Sequence, residues 1–221
     1  MLPQILRPML AQKAAAPFDS TQHLFELKWD GIRCLAFIED NQVHLQTRQA
    51  VEITSQFPEF ACLAGLPSGT VLDGELVALH EGKPSLRHIQ RRALLQNRQR
   101  IRWHSAHTAP VTYMVFDLVY LKGKPLFASP LIQRREALQR LFQQFSTPAV
   151  VATEAVREHV RKLFAQVVRL GLEGIMAKRL DGPYLPGKRS RHWLKIKTDF
   201  ATAMPRHRSG LLSAISYEDP K

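Results

Sequence analysis

The chain has 221 residues, 45% of them hydrophobic, enough to bury a sizeable core without staples. Lysine and arginine number 31 against 19 acidic residues, and the formal charge of +12 favours polyanionic partners: nucleic acid, nucleotide or an anionic membrane surface. Two cysteines, Cys34 and Cys62, exclude a disulfide framework and a C-x-x-C metal site, and no stretch approaches the ~18 apolar residues of a membrane span.

Residues 1–17 read as an extended N-terminal arm. Pro3, Gln4, Arg7, Pro8 and Gln12 break every apolar run, so Ala14-Ala15-Ala16 is not a signal-peptide cleavage site. Segments 24–28 and 32–38 are apolar and β-prone and read as strands. Asp40-Asn41 then turns the chain into 42–48, where Val43, Leu45 and Thr47 alternate with His44, Gln46 and Arg48 as in a half-buried strand. Residues 70–79 read as two strand segments around Gly74. Ser85 is expected to cap a helix over 86–98, and 111–120 is a long buried strand. Apolar residues at 138, 141, 142 and 145 predict a helix over 130–145. A second stripe from Val156 to Leu170 predicts another, with Thr153 as N-cap and Gly171 as its stop. Residues 182–192 read as a basic loop, and after Lys197 the pattern fades, with at most one short strand. Strands mixed with irregularly placed helices give an α+β class, and the hairpin spacing near residue 40 gives antiparallel sheets with flanking helices.

The sharpest chemical feature is Glu26-Leu27-Lys28-Trp29-Asp30-Gly31-Ile32-Arg33. It sets a lysine at a strand end, beside a glycine turn, with an acid and an arginine close by. A protonated lysine cannot attack, so a nucleophilic role needs desolvation or neighbouring positive charge. Arg33, Lys195 and Lys197 are candidates for that field. Gly182–Lys188 nearly spells a phosphate-binding G-x-x-x-x-G-K-[S/T] loop, but Arg189 stands at the hydroxyl position. Pro183 and Pro186 stiffen the segment, and no apolar helix follows.

The Glu26–Arg33 segment has the form E-x-K-x-D-G-x-R and resembles the nucleotide-binding signature of ATP-dependent DNA ligases and related capping enzymes. Further elements follow in that family's order. Thr47-Arg48-Gln49-Ala50 resembles S-R-N-G, and Asp73-Gly74-Glu75-Leu76 resembles D-G-E-L. Val115-Phe116-Asp117-Leu118-Val119-Tyr120 resembles F-D-L-x-Y, and Glu173-Gly174-Ile175-Met176-Ala177-Lys178 resembles E-G-[V/I]-M-x-K. Trp193-Leu194-Lys195-Ile196-Lys197 resembles W-x-K-x-K. Pro8-Met9-Leu10-Ala11 and the segment Tyr184 to Arg191 look closest to the ligase domain of bacterial end-joining ligases. The resemblance covers 8–197 and implies the nucleotidyltransferase fold, with ATP in a groove between antiparallel sheets, over an adenylation domain at 18–198.

It also implies roles. Lys28 would attack the α-phosphate of ATP and carry AMP to a 5′-phosphate, sealing nicked double-stranded DNA in repair. Lys195 and Lys197, two apart on a strand and so on one face, would neutralise phosphate charge. Glu26, the backbone at Leu27, Lys178 and the Phe116 ring would hold the base. Arg33 and Arg48 would fork onto phosphate oxygens. Glu75 would sit near the ribose and, with Glu173, would hold Mg²⁺ or Mn²⁺ through carboxylate oxygens. Lys188, Arg189 and Arg191 would contact DNA. The expected setting is cytoplasmic and nucleoid-associated, with no membrane.

Two departures stand out. Gln49 and Ala50 replace asparagine and glycine, and alanine tolerates positive φ poorly, so another loop shape is expected. Residues 199–221 are too short for the OB-fold domain that relatives carry next. A separate chain supplying that domain and a non-sealing accessory subunit are the alternatives this raises; RNA ligation or guanylylation of RNA ends is the enzymatic rival.

Overall fold

The computed structural model describes residues 1–107 and 110–198, and two sheets organise them. The strands are β1 (Leu10–Lys13), β2 (His23–Leu27), β3 (Ile32–Glu39), β4 (Gln42–Thr47), β5 (Thr70–His80), β6 (Lys83–Pro84), β7 (Val111–Leu121), β8 (Lys124–Pro125), β9 (Val150–Ala152), β10 (Gly174–Arg179) and β11 (Arg189–Lys197). The helices are α1 (Leu86–Ala93), α2 (Arg98–His107), α3 (Leu131–Gln143) and α4 (Val160–Arg169), with 3-10 turns at Thr54–Gln56 and Pro58–Gly65. The large sheet runs β4-β3-β5-β7-β8, with β6 on β5 and β9 parallel to β7. The small sheet runs β1-β11-β10-β2, antiparallel except for the β1–β11 pair.

Local chemistry sets the hairpins. Asp40 and Asn41 take φ of 50° and 59°, both left-handed, and the register closes Glu39 against Gln42. That is a two-residue turn whose twist matches right-twisted strands. Glu81-Gly82 and Lys122-Gly123 take the same paired positive φ and close β5–β6 and β7–β8, two hairpins the sequence pattern left unread. The expected two segments around Gly74 are one continuous strand, β5. Its register against β7 slips between Asp73 and Gly74, where a Cβ on Gly74 would lie 2.6 Å from Met114 O.

Side-chain alternation builds three apolar clusters. Ala36, Ile38, Leu72, Leu76, Tyr113 and Val115 pack under α1, α3 and the 3-10 turns. Leu35, Phe37, Val71, Phe116 and Trp193 fill the space between the sheets, joined by Leu2, Leu6 and Met9. Phe25, Ile175, Ala177 and Ile196 pack under α4. Each fully buried side chain of this size contributes about 1.5–3 kcal/mol.

Several sequence expectations are corrected. The N-terminal arm is docked, with β1 in the small sheet and Met9 fully buried. The helix expected over 86–98 ends at Ala93, and α2 starts anew behind Asn97, whose Oδ1 accepts the amides of Gln99 and Arg100. Ser85 stands at the N-cap of α1 but its hydroxyl meets His88 Nδ1 at 2.8 Å. Thr153 caps nothing: it is buried against Arg135, and α4 begins behind His159. Gly171 does stop α4, at φ 67°. Arg189 and Arg191 lie on β11 rather than in a loop. Residues 199–221 lie outside the described residues.

Candidate active site

Strand alternation sends Glu26, Met176 and Lys178 to the inner face of the small sheet, away from the cluster that takes Phe25, Ile175 and Ala177. Trp193, Lys195 and Lys197 do the same on β11, opposite Ile196. Across the gap the large sheet presents Arg33, Asp73, Glu75 and Phe116. Glu26, Lys178, Lys195 and Lys197 therefore converge with Arg33, Glu75 and Phe116 on one cleft.

Lys28 closes β2. Its amide donates to Gly174 O at 2.9 Å, and Gly174 itself lies so close to β11 that a Cβ there would meet Ile196 O at 2.1 Å. Lys28 Nζ and Lys197 Nζ each lie 2.5 Å from one oxygen of Glu173. Burial opposes charge on Glu173, but Lys28 and Lys197 outweigh it and hold its carboxyl below the usual range. Lys195 stands beside them. Partial burial, with the positive charges of Arg189, Lys197 and Lys28, lowers its pKa. Glu75 is pushed up to about 7, first by burial, with Arg33 and Lys28 opposing and Glu173 adding repulsion. Asp30 is also raised, by burial and then by Glu173, while its carboxylate accepts the Leu86 amide at the start of α1.

The field expected around Lys28 is thus different in detail. Arg33 is paired with an acid of its own. Its Nε and Nη2 clasp both oxygens of fully buried Asp73 at 2.5 and 2.7 Å, and Tyr184 Oη donates to the same carboxylate at 2.7 Å. Its fork is therefore spent inside the protein. Phe116 is buried, with Arg33 Cζ 4.5 Å and Lys178 Nζ 4.0 Å from its ring centroid and Trp193 edge-on at 6.0 Å. Buried Lys178 pairs with buried Glu26. Desolvation lowers the Lys178 pKa against the pull of that carboxylate. Arg135 stands 3.9 Å from Glu26 and donates to Phe116 O at 3.2 Å.

The Leu27 side chain faces the outer cluster, so only its backbone borders the cleft. Arg48 is exposed in the turn after β4, and Ala50 does adopt the left-handed conformation, φ 64°, closing on Thr47 O at 2.9 Å. Alanine thus stands in a backbone conformation that favours glycine. Lys188, Arg189 and Arg191 are exposed at the start of β11. Met176, Trp193, Asp30 and Asp73 fall within the motifs but were given no role by sequence reasoning. The alternation of Met176 with Lys178, and of Trp193 with Lys195, was the available signal. A broad open depression between residues 19–22 and 157–162 holds none of these groups. Among the described residues no three His, Cys, Asp or Glu cluster as a metal site, and no helix is long and apolar enough to cross a membrane.

A lysine at a strand end thus faces two acids and two more lysines, with an aromatic ring deeper in the same cleft. The family model for the ATP dependent DNA ligase domain matches residues 8–197. The chain belongs to this family. It is 37% identical over 190 residues to the SPbeta prophage-derived DNA ligase-like protein LigB of Bacillus subtilis, covering 86% of this chain and 66% of that protein. It is 32% identical over 203 residues to the multifunctional non-homologous end joining protein LigD of Mycolicibacterium smegmatis, covering 88% and 24%. The solved structure of mycobacterial DNA ligase D complexed with ATP and MES superposes with a TM-score of 0.72 at 30% identity, over 89% of this chain and 62% of that one. The α+β nucleotidyltransferase fold of DNA ligases is therefore the fold of this chain, which spans between about a quarter and two thirds of these proteins.

Proposed function

We propose that this ligase-family chain loads AMP from ATP onto Lys28 and passes it to a 5′-phosphate to seal nicks in double-stranded DNA. The observation that carries the reading is the Lys28–Glu173–Lys197 cluster, with Lys195 and Glu75 beside it, in the cleft between the sheets.

Each residue has a chemical task. Lys28 leaves Glu173, loses a proton and attacks the α-phosphorus; an N–P bond forms as the bond to pyrophosphate breaks. Lys195 and Lys197 neutralise charge on the α-phosphate and leaving group. The 5′-phosphate of DNA then displaces Lys28 from AMP, and attack by the 3′-hydroxyl releases AMP. Phe116, Glu26, Lys178 and the Leu27 backbone border the base, which shares the Phe116 ring with the cations now over it. Arg48 and exposed Lys188, Arg189 and Arg191 meet phosphates of nucleotide or DNA.

Glu75 and Glu173 fit a hard divalent cation, Mg²⁺ or Mn²⁺. They are oxygen donors near enough to repel each other, an effect that adds to burial in raising Glu75, and two carboxylates leave room for water and phosphate oxygens. When bound, the ion supplies charge neutralisation at the phosphates. The setting is cytoplasmic, at the nucleoid.

The experiment offers the protein nicked duplexes with DNA or RNA termini, ATP or GTP, and Mg²⁺ or excess EDTA. ATP-dependent, EDTA-sensitive sealing of the DNA nick is the expected result. Sealing confined to RNA, or labelling by GTP alone, would replace the acceptor or nucleotide assignment. DNA binding with no labelling by either nucleotide would point to an accessory subunit.

A further inference from the structure

More than half of the chain's positive excess is concentrated in one segment. Between Glu81 and Asp117 there is no acidic residue, while the same stretch carries Lys83 and six arginines. One of these, Arg92, is buried and spent internally: its Nε donates to Gln56 O at 2.8 Å and its Nη2 meets Glu59 at 3.1 Å. The others, Arg87 and Arg91 on α1 and Arg98, Arg100 and Arg102 on α2, are all exposed.

Arg87 and Arg91 are four apart, as are Arg98 and Arg102, so each pair shares a helix face, where like charges weaken a helix rather than support it. Neither helix has an acid in its first turn to offset them. A sequence shaped only for folding has no gain from this arrangement. Guanidinium forks in a row suit phosphate oxygens. Trp103 stands 55% exposed on the same helix as three of them and adds an apolar surface for a sugar or base.

Placement links this surface to the site without making it part of it. Ile89 and Leu86 pack α1 onto the large sheet through the cluster opposite the cleft. Its start, however, lies near enough to Asp30, two residues from Lys28, for the Leu86 amide to favour that carboxylate's charged form. The arginine face therefore begins at the edge of the cleft and extends away over the outside of the sheet.

We propose that α1 and α2 form an accessory face that grips the phosphodiester backbone of duplex DNA beyond the reaction cleft. The proposal deepens the ligase reading and rests on it for the choice of nicked duplex as substrate. Exposed guanidinium forks on both helices, with no acid in either first turn, favour a regular polyanion.

The test replaces Arg87 and Arg91 by Gln in one variant, Arg98, Arg100 and Arg102 by Gln in a second, and all five in a third. Affinity for a long nicked DNA duplex is measured by fluorescence anisotropy across a salt series, with AMP loading followed on the same samples. Each lost phosphate contact should flatten the slope of log K against log[salt] by ~0.9, so loss of two or more contacts flattens it by about 2 and lowers affinity about tenfold at physiological salt. AMP loading should be unchanged, because none of the five lies in the cleft. If the fivefold variant does not fold, the two smaller variants carry the same expectation at smaller size. Unchanged slope and affinity in folded variants would overturn the proposal, as would loss of binding to polyglutamate with DNA affinity intact, which would mark an acidic protein partner. Absence of AMP loading in the unsubstituted chain would count against the ligase reading alone, since the DNA slope judges the face separately.

Discussion

Lys28 and Lys197 share Glu173 in this structure, so the proposed nucleophile is held as one half of an ion pair. Attack needs that pair to open. Glu75 is close enough to feel both Lys28 and Glu173, and burial is the largest influence on it. Its carboxyl rises from an ordinary 4.5 to about 7. Between these values the unfolded chain is ionised at this position and the folded chain is protonated. The folded state then binds more protons, and stability falls as pH rises through the window. Glu75→Gln, studied in EDTA, should therefore leave the melting temperature unchanged near pH 4.5 and raise it near pH 8. An equal shift at both values would show that Glu75 is not held in this way. Ala50 supplies a second residue-level test. A left-handed alanine costs about 1–2 kcal/mol, partly offset by the extra freedom glycine gains when unfolded. Ala50→Gly should stabilise by about 0.5–1 kcal/mol in urea denaturation, and destabilisation would mean that the turn relaxes elsewhere.

At the level of elements, α3 ties the large sheet to the loop before β11. Arg134 is fully buried, forks onto both oxygens of fully buried Asp117 at 2.8 Å and donates to Gly182 O at 3.1 Å. Removing one partner leaves a buried charge unpaired, so Arg134→Met should cost about 3–5 kcal/mol. The double variant with Asp117→Leu should recover most of it; no recovery would assign the loss to packing. Elements were legible in the sequence where one period dominated. The alternation of Val43, Leu45 and Thr47 located β4, and the spacing of 138, 141 and 142 located α3. Legibility failed where tertiary partners overrode local signals. Thr153 has the chemistry of an N-cap but is recruited by Arg135, and Val156, counted in a helical stripe, pairs with Phe25 as an isolated bridge. The N-terminal arm looks irregular because its order comes from β11, which is distant in sequence. The candidate site was legible as a set, since its motifs name the residues. Its wiring was not: Arg33 reads as a phosphate fork, and only the fold brings Asp73 and Tyr184 to it.

Across the whole molecule, two sheets face each other around a cleft lined by lysines and acids, on a chain with a net charge of +12. The inner faces supply base-sized apolar surface at Phe116 and phosphate-sized positive charge at Lys195 and Lys197, which is the division of labour AMP transfer requires. The central claim is that Lys28 carries the nucleotide, and intact-protein mass spectrometry after incubation with ATP and Mg²⁺ tests it most directly. The account predicts a single AMP adduct that is lost in acid, kept in alkali, mapped to the Lys28 peptide and absent from a folded Lys28→Ala variant. An AMP adduct that persists on that variant would contradict it.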